Sequence, residues 1–208
     1  MKVLIAVPCH DYVHADFTRC LMELERPSGT GFAMLTGSLI YTARTVIANK
    51  AVEQGFDRVL WLDSDMTFKP DLLLELSADM DEGLDMVTGL YFTRKKPVQP
   101  VIMDELHWKV RDDGWVDTGF HVYEDYPQDS LFEIAGCGFG CCMTSAKLLR
   151  AMNKRHGSPF YPLMGMGEDT TFCIRARDAG YKIFCDSRVK CGHISQQEVT
   201  EESWRASR

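Results

Sequence analysis

The stretch VLWLDSDM, residues 59–66, runs apolar positions straight into two carboxylates one residue apart, Asp63 and Asp65. An uninterrupted apolar run of this length reads as a buried strand, and side chains at i and i+2 leave an extended segment on the same face. Two anions so placed repel each other until a hard cation such as Mg2+ or Mn2+ sits between them, and a metal held with open positions is suited to binding a diphosphate. The competing reading of the pair is a solvated loop or a helix cap. A second acidic pair, Glu168-Asp169, opens an expected helix, where carboxylates accept free backbone N–H groups and meet the positive end of the dipole. Cys185, Cys191 and His193 could share a strand face around zinc. There is no CxxC pair, however, and the spacings are irregular, so free buried thiols are expected of the eight cysteines. The glycine-rich GCGFGCC, residues 136–142, lacks the G-x-G-x-x-G spacing of a dinucleotide fingerprint and lies far from the first βα turn where that motif belongs.

These residues need a scaffold, and hydrophobic periodicity outlines one. Val3 to Val7, stopped by Pro8, reads as a central parallel strand; a helix over Val13 to Glu25 and a strand near Phe32 to Leu35 follow. In Leu39 to Gln54, Ile40, Ala43, Ile47, Ala51 and Val52 recur at helical spacing and Gly55 is a natural stop. The strand Arg58 to Leu62, a helix over Lys69 to Glu82 and a strand over Met86 to Phe92 continue the alternation. Such alternation predicts an α/β fold with a mainly parallel central sheet flanked by helices and ligands at the carboxyl ends of the strands.

After Tyr91 the pattern changes. Pro97 and Pro100 interrupt the chain, and residues 98–124 alternate around an Asp113-Gly114 turn, which predicts a small β-rich region with a hairpin. Trp108, Trp115, Tyr123 and Tyr126 there suit either stacking on a ligand or simple packing. A strand over Leu131 to Ala135, helices over Ala146 to Arg155 and Glu168 to Ala179, and a strand over Tyr181 to Cys185 complete the core. The tail EVTEESWRASR reads as a helix or a loosely held end.

The 208 residues, 45% hydrophobic, suffice for one compact domain. With 23 Lys and Arg against 30 Asp and Glu, the formal charge of −7 argues against broad binding to nucleic acid or anionic membrane and favours a small-molecule substrate. Pro8 cuts the first apolar run short of a signal-peptide core, and no later segment has the length of a membrane span, so a soluble, cytoplasmic protein is expected.

Taken in order, the opening strand ending in Pro8, the helix TARTVIANKA, the strand ending in Asp-Ser-Asp, the glycine-rich segment, GEDTTFCIRARDAGYKI and the closing CGHI resemble the glycosyltransferases of the GT-A fold. The likeness is to their large family 2 group in particular, and it spans residues 3–193. It implies that Asp65 coordinates Mn2+ or Mg2+, that Asp63 contacts the ribose or the metal through water, and that His193 is a further metal ligand. It places Arg44 against the donor phosphates, Pro8 and His10 at the nucleotide base, and Glu168 on the donor side. Gly138, with Gly136 and Gly140, would line the sugar and acceptor side, and Asp169 would be the catalytic base. Thr45 stands where the family has Asn, and Leu35 to Ser38 lack the Asp that often reads uracil.

The sequence thus reads as a single glycosyltransferase domain over 1–208, with a nucleotide-sugar-binding half (1–92), an acceptor and catalytic half (93–193) and a tail (194–208). The expected activity is metal-dependent, inverting transfer of a sugar from a nucleoside-diphosphate sugar to a hydroxyl of a glycan or small molecule. Arg94, Lys95 and Lys96 leave modified DNA as a further acceptor. Two alternatives stand beside it: a sugar nucleotidyltransferase, whose usual basic glycine-rich loop after strand one is missing here, and a non-catalytic nucleotide-sugar binder.

Overall fold

Along the first strand, Leu4 and Ala6 pack to one side and Val3, Ile5 and Val7 to the other, all of them buried, which forces a sheet covered on both faces. The computed structural model describes residues 1–195, so the expectation for EVTEESWRASR lies outside the described residues. The elements run β1 (Val3–Pro8), α1 (Ala15–Glu23), β2 (Gly31–Leu35), α2 (Ile40–Glu53), β3 (Arg58–Leu62), β4 (Met66–Thr67), α3 (Leu72–Asp81) and β5 (Met86–Leu90). They continue with β6 (Ile102–Val110), β7 (Val116–Val122), β8 (Leu131–Ile134), β9 (Gly136–Cys137), β10 (Cys141–Ser145), α4 (Ala146–His156), α5 (Glu168–Asp178), β11 (Ile183–Lys190) and β12 (Gly192–His193).

The central sheet has the order β2-β1-β3-β10-β5-β11-β8. Strands β2, β1, β3, β5 and β11 point one way, while β10 and β8 run against them, so the sheet is mainly parallel as expected. Helices α2, α4 and α5 cover one face and α1 and α3 the other. Its strands come from both sides of residue 92, so one sheet joins the two halves read from the sequence.

Strand β10, which starts at the end of the glycine-rich stretch and was not expected, sits at the centre, antiparallel between β3 and β5. Buried hydroxyls tie it to its neighbours: Trp61 Nε1 donates to Thr144 Oγ1 at 2.9 Å, and Thr88 Oγ1 donates to the Cys141 carbonyl at 2.7 Å. The expected hairpin is β6–β7, turning at Gly114 with φ +83. Tyr123 and Tyr126 pack on Phe132, with ring centroids 5.7 and 6.4 Å away, which is the packing reading, whereas Trp115 is exposed. All eight cysteines are free and buried. No helix among the described residues is long and apolar enough to cross a membrane.

Strand β11 runs past its expected end at Cys185 because Asp186 and Ser187, which look like turn residues, are buried and bonded. Ser187 Oγ donates to the Pro127 carbonyl at 2.8 Å, and Arg188 Nη2 donates to Asp186 Oδ2 at 2.8 Å and to Asp79 Oδ1 at 3.2 Å. Burial and then the adjacent Asp186 push the Asp79 carboxyl up to about 7, and its Oδ2 has no protein partner among the described residues. A raised carboxyl pKa means that the folded chain holds a proton the unfolded chain has released. This contribution is therefore fully present below the ordinary carboxylate pKa and is lost as pH rises to about 7. Asp79→Asn should gain stability relative to wild type progressively between about pH 4 and pH 7 in urea titrations. A stability difference that does not change with pH would remove Asp79 as the titrating group.

Candidate active site

The carboxyl end of β3 delivers Asp63 and Asp65. The Asp63 N–H donates to the Gly140 carbonyl at 3.0 Å and the Met66 N–H donates to the Asp63 carbonyl at 3.2 Å, so the chain turns within the motif and enters β4. Beneath the turn lies Arg44 of α2, its side chain only 3% exposed. Its Nη2 donates to Asp63 Oδ1 and its Nη1 to Glu168 Oε1, both at 2.9 Å. Its Cζ lies 5.2 Å from the ring centroid of Phe139, which packs edge-on against Trp61, Phe160 and Phe172. Burial works against the guanidinium charge, but Asp63, Glu168 and Asp169 outweigh it and raise its pKa. Both terminal nitrogens are thus committed to protein carboxylates. Where the sequence pointed to donor phosphates, Arg44 is paired with Asp63 and Glu168, and it still lines the cleft.

Asp65 faces a guanidinium and an imidazole. Arg94 Nη1 donates to Asp65 Oδ2, and His193 Nε2 lies 3.6 Å from the same oxygen. Burial would raise the Asp65 pKa, but His193 and Arg94 more than offset this and hold it below the usual carboxylate range. His193 is brought here by the pairing of β12 with β4, opposite Met66. Its Nδ1 is 2.9 Å from the Phe92 carbonyl, an oxygen that can only accept, so Nδ1 carries the hydrogen. That leaves Nε2 aimed at a carboxylate oxygen, a pairing that calls for a proton or a metal ion between them. Asp65 indeed raises the imidazole above its ordinary pKa.

Asp169 stands at the second position of α5, behind an N-cap Gly167 that offers no side chain. Its Oδ1 accepts from the Thr170 N–H at 2.7 Å, so the capping role is real. Burial nevertheless dominates: it pushes the Asp169 carboxyl above the usual range, Arg44 pulls it back, and Glu168 adds to the rise. A helix start favours the ionised carboxylate and so weakens it as a base, and the burial of Asp169 acts the other way.

One cleft of about 490 Å3 at the carboxyl ends of the strands is lined by Pro8, His10, Arg44, Asp63, Asp65, Glu168, Asp169 and His193. Ile40, Ser64, Tyr91, Thr93, Val101 and Phe139, none of them read as site residues, complete its wall with Arg94 and Lys95, which the sequence pointed to only for a DNA acceptor. Gly138 is not part of the lining. A Cβ there would collide with the Tyr91 hydroxyl, and the Gly140 N–H donates to that hydroxyl at 3.0 Å, so the glycines admit Tyr91 where a sugar contact was expected. Among the described residues no three His, Cys, Asp or Glu side chains converge into a metal cage, zinc with Cys185 and Cys191 included. The donor set that does exist, Asp65 oxygen and His193 Nε2 with Asp63 alongside, fits an open site for a hard or borderline divalent ion.

Arg44→Met would leave Asp63 and Glu168 facing each other with no cation between. Denaturant titration should show a loss of about 3 kcal/mol, the lower end for breaking a buried pair because both carboxylates keep some exposure. Arg44→Lys should fall between, since one ammonium cannot span both oxygens as a fork does. An unchanged midpoint in Arg44→Met would deny the cluster any structural weight.

No protein-family model and no curated protein sequence matches the chain. Among solved structures, A197 from STIV superposes with a TM-score of 0.67 at 17% identity, over 94% of this chain and 87% of that one. GalNAc-T7, solved with UDP, GalNAc and Mn2+, superposes with a TM-score of 0.62 at 11% identity; the match covers 95% of this chain but spans 44% of the GalNAc-T7 chain. At these identities the likeness is one of architecture, and the architecture of this chain is the GT-A fold.

Proposed function

We propose that the chain is a glycosyltransferase that moves a sugar from a nucleoside-diphosphate sugar to an acceptor hydroxyl by a single inverting displacement. The observation that carries this reading is the meeting, in one cleft, of an ionised strand-end carboxylate paired with an imidazole (Asp65, His193) and a buried carboxylate whose basicity is raised (Asp169). Two carboxylates with opposite shifts suit two roles, one holding positive charge and one taking a proton. A nucleotidyltransferase reading gains nothing, since in the loop directly after β1 the residue that reaches the cleft is His10, with no Arg or Lys beside it.

The donor diphosphate is placed against Asp65, with the nucleoside toward Pro8 and His10. Mn2+ or Mg2+ would be held by Asp65 and His193, with Asp63 alongside, and would supply Lewis-acid stabilisation of the leaving diphosphate. Lys95 and Arg94 add positive charge at the mouth of the cleft. Thr170 N–H engages Oδ1 of Asp169, leaving Oδ2 to accept the proton of the attacking hydroxyl. Arg44 keeps Glu168 turned away from that proton, which gives the adjacent pair a division of labour. UDP is the first nucleotide to test, because the GalNAc-T7 structure holds it.

Asp169→Asn should retain donor binding while turnover to a competent acceptor falls by on the order of 10² to 10⁴, the usual cost of losing a general base. In wild type the acidic limb of the kcat/KM profile should lie above the ordinary aspartate range, because the raised carboxyl must be ionised to act, and the variant should lose that limb. Near-wild-type turnover in Asp169→Asn would reduce this carboxylate to a helix cap. Separately, calorimetry with UDP should show binding that depends on Mn2+ and is lost with EDTA or in Asp65→Ala; undiminished affinity would sink the metal–diphosphate reading.

A further inference from the structure

The two aspartates of the Asp-Ser-Asp turn are each paired with an arginine, and the two arginines are unlike. Arg44 is 3% exposed and gives one terminal nitrogen to each of two carboxylates. Arg94 is 51% exposed and touches Asp65 through Nη1, its Nε and Nη2 having no protein partner among the described residues. An arginine held on one side in solvent gains little from its pair, whereas one locked between buried carboxylates gains much. The backbone that carries Arg94 is nonetheless braced. The Thr93 N–H donates to the Gln99 carbonyl at 2.8 Å, the Gln99 N–H donates to Thr93 Oγ1 at 3.1 Å, and Thr93 Oγ1 donates to the Pro97 carbonyl at 3.1 Å. Movement of Arg94 therefore needs only its own side-chain torsions.

The oxygen that Arg94 covers is also the one facing His193 Nε2, so the guanidinium is bound to the carboxylate oxygen best suited to a divalent ion. A guanidinium and a divalent ion on one oxygen repel each other at contact distance, so each weakens the other's hold on it. We propose that Arg94 is an exchangeable cation: it neutralises Asp65 when the cleft is empty, gives way when a divalent ion arrives with a diphosphate, and then pairs its freed fork with the diphosphate oxygens. The proposal rests on the metal–diphosphate reading of the cleft. Planar bidentate pairing to phosphate is what a guanidinium does better than an ammonium, and the unpartnered Nε and Nη2 supply the free donors for it. Arg94 then serves Asp65 before the donor binds and the leaving group afterwards, with no change in the fold.

The test uses the full chain with Mn2+ alone and with inorganic pyrophosphate as the diphosphate probe, which avoids any dependence on the nucleobase. Arg94→Gln should bind Mn2+ alone more tightly than wild type, by about two- to fivefold, because a half-exposed competitor has been removed. In saturating Mn2+ the same variant should bind pyrophosphate about 10- to 100-fold more weakly, having lost a charge-assisted pair. The opposite signs are the signature. Arg94→Lys should restore the wild-type Mn2+ affinity while recovering pyrophosphate binding only in part. Affinities that both fall, or that both stay unchanged, in a folded Arg94→Gln overturn the exchange while leaving the metal site intact. Pyrophosphate binding to wild type that needs Arg94 but no metal overturns it too, making Arg94 a permanent phosphate ligand. If wild type binds neither Mn2+ nor Mn2+-pyrophosphate, the underlying reading of the cleft fails, and the exchange with it.

Discussion

A single buried guanidinium organises the cleft at the carboxyl ends of the strands. Arg44 reaches from α2 beneath the turn that follows β3 and across to the first residue of α5, and the carboxylates it joins lie 19 and 124 residues further along the chain. A buried ion pair contributes little net stability when compared with an apolar replacement, because desolvation offsets most of the Coulomb gain. Its value lies in geometry. Asp63 and Glu168 cannot both approach this point without a cation between them, and the guanidinium fork fixes the angle at which they do. The Phe139 ring on its face and the Trp61, Phe160 and Phe172 rings behind it keep water from competing for the charge.

That constraint explains how one cleft shifts the basicity of its carboxylates in opposite directions. Asp65 sits toward solvent between an imidazole and an exposed arginine and stays ionised, while Asp169 is folded under the helix start, where its charge is poorly solvated. The contrast arises from position alone, since both are aspartates at the ends of regular elements. Asp63, in the same cleft, is clamped by Arg44.

Much of this was legible in the sequence wherever a local pattern carries the information. The run VLWL entering Asp63 and Asp65 gave strand β3 with its bounds, and the periodic apolar residues of α2 and the Gly167-Glu-Asp start of α5 were equally direct. Long-range pairing was not legible. Nothing in CCMTS states that it enters the sheet between β3 and β5 in the opposite sense, because strand order is set by tertiary packing. The partner of an arginine is likewise not written beside it, so Arg44 was given phosphates and Arg94 a DNA acceptor when each has a carboxylate. The glycines at 138 and 140 announced a close approach correctly, but the approaching group is Tyr91.

The central position of β10 also decides how the chain can assemble. The strands from the first 92 residues leave β3 and β5 separated by a gap that only residues 141–145 fill, so a nascent amino-terminal half has two unsatisfied inner edges and an incomplete core. Such edges favour pairing with any exposed strand nearby, which makes partial synthesis a hazard. Closure of the sheet must wait for a contact of high sequence separation, a topology associated with slow folding. His193 and α5 follow β10 in the chain, so the cleft can be completed only after the sheet has its middle strand, and the molecule has no stage at which half a site could stand on its own.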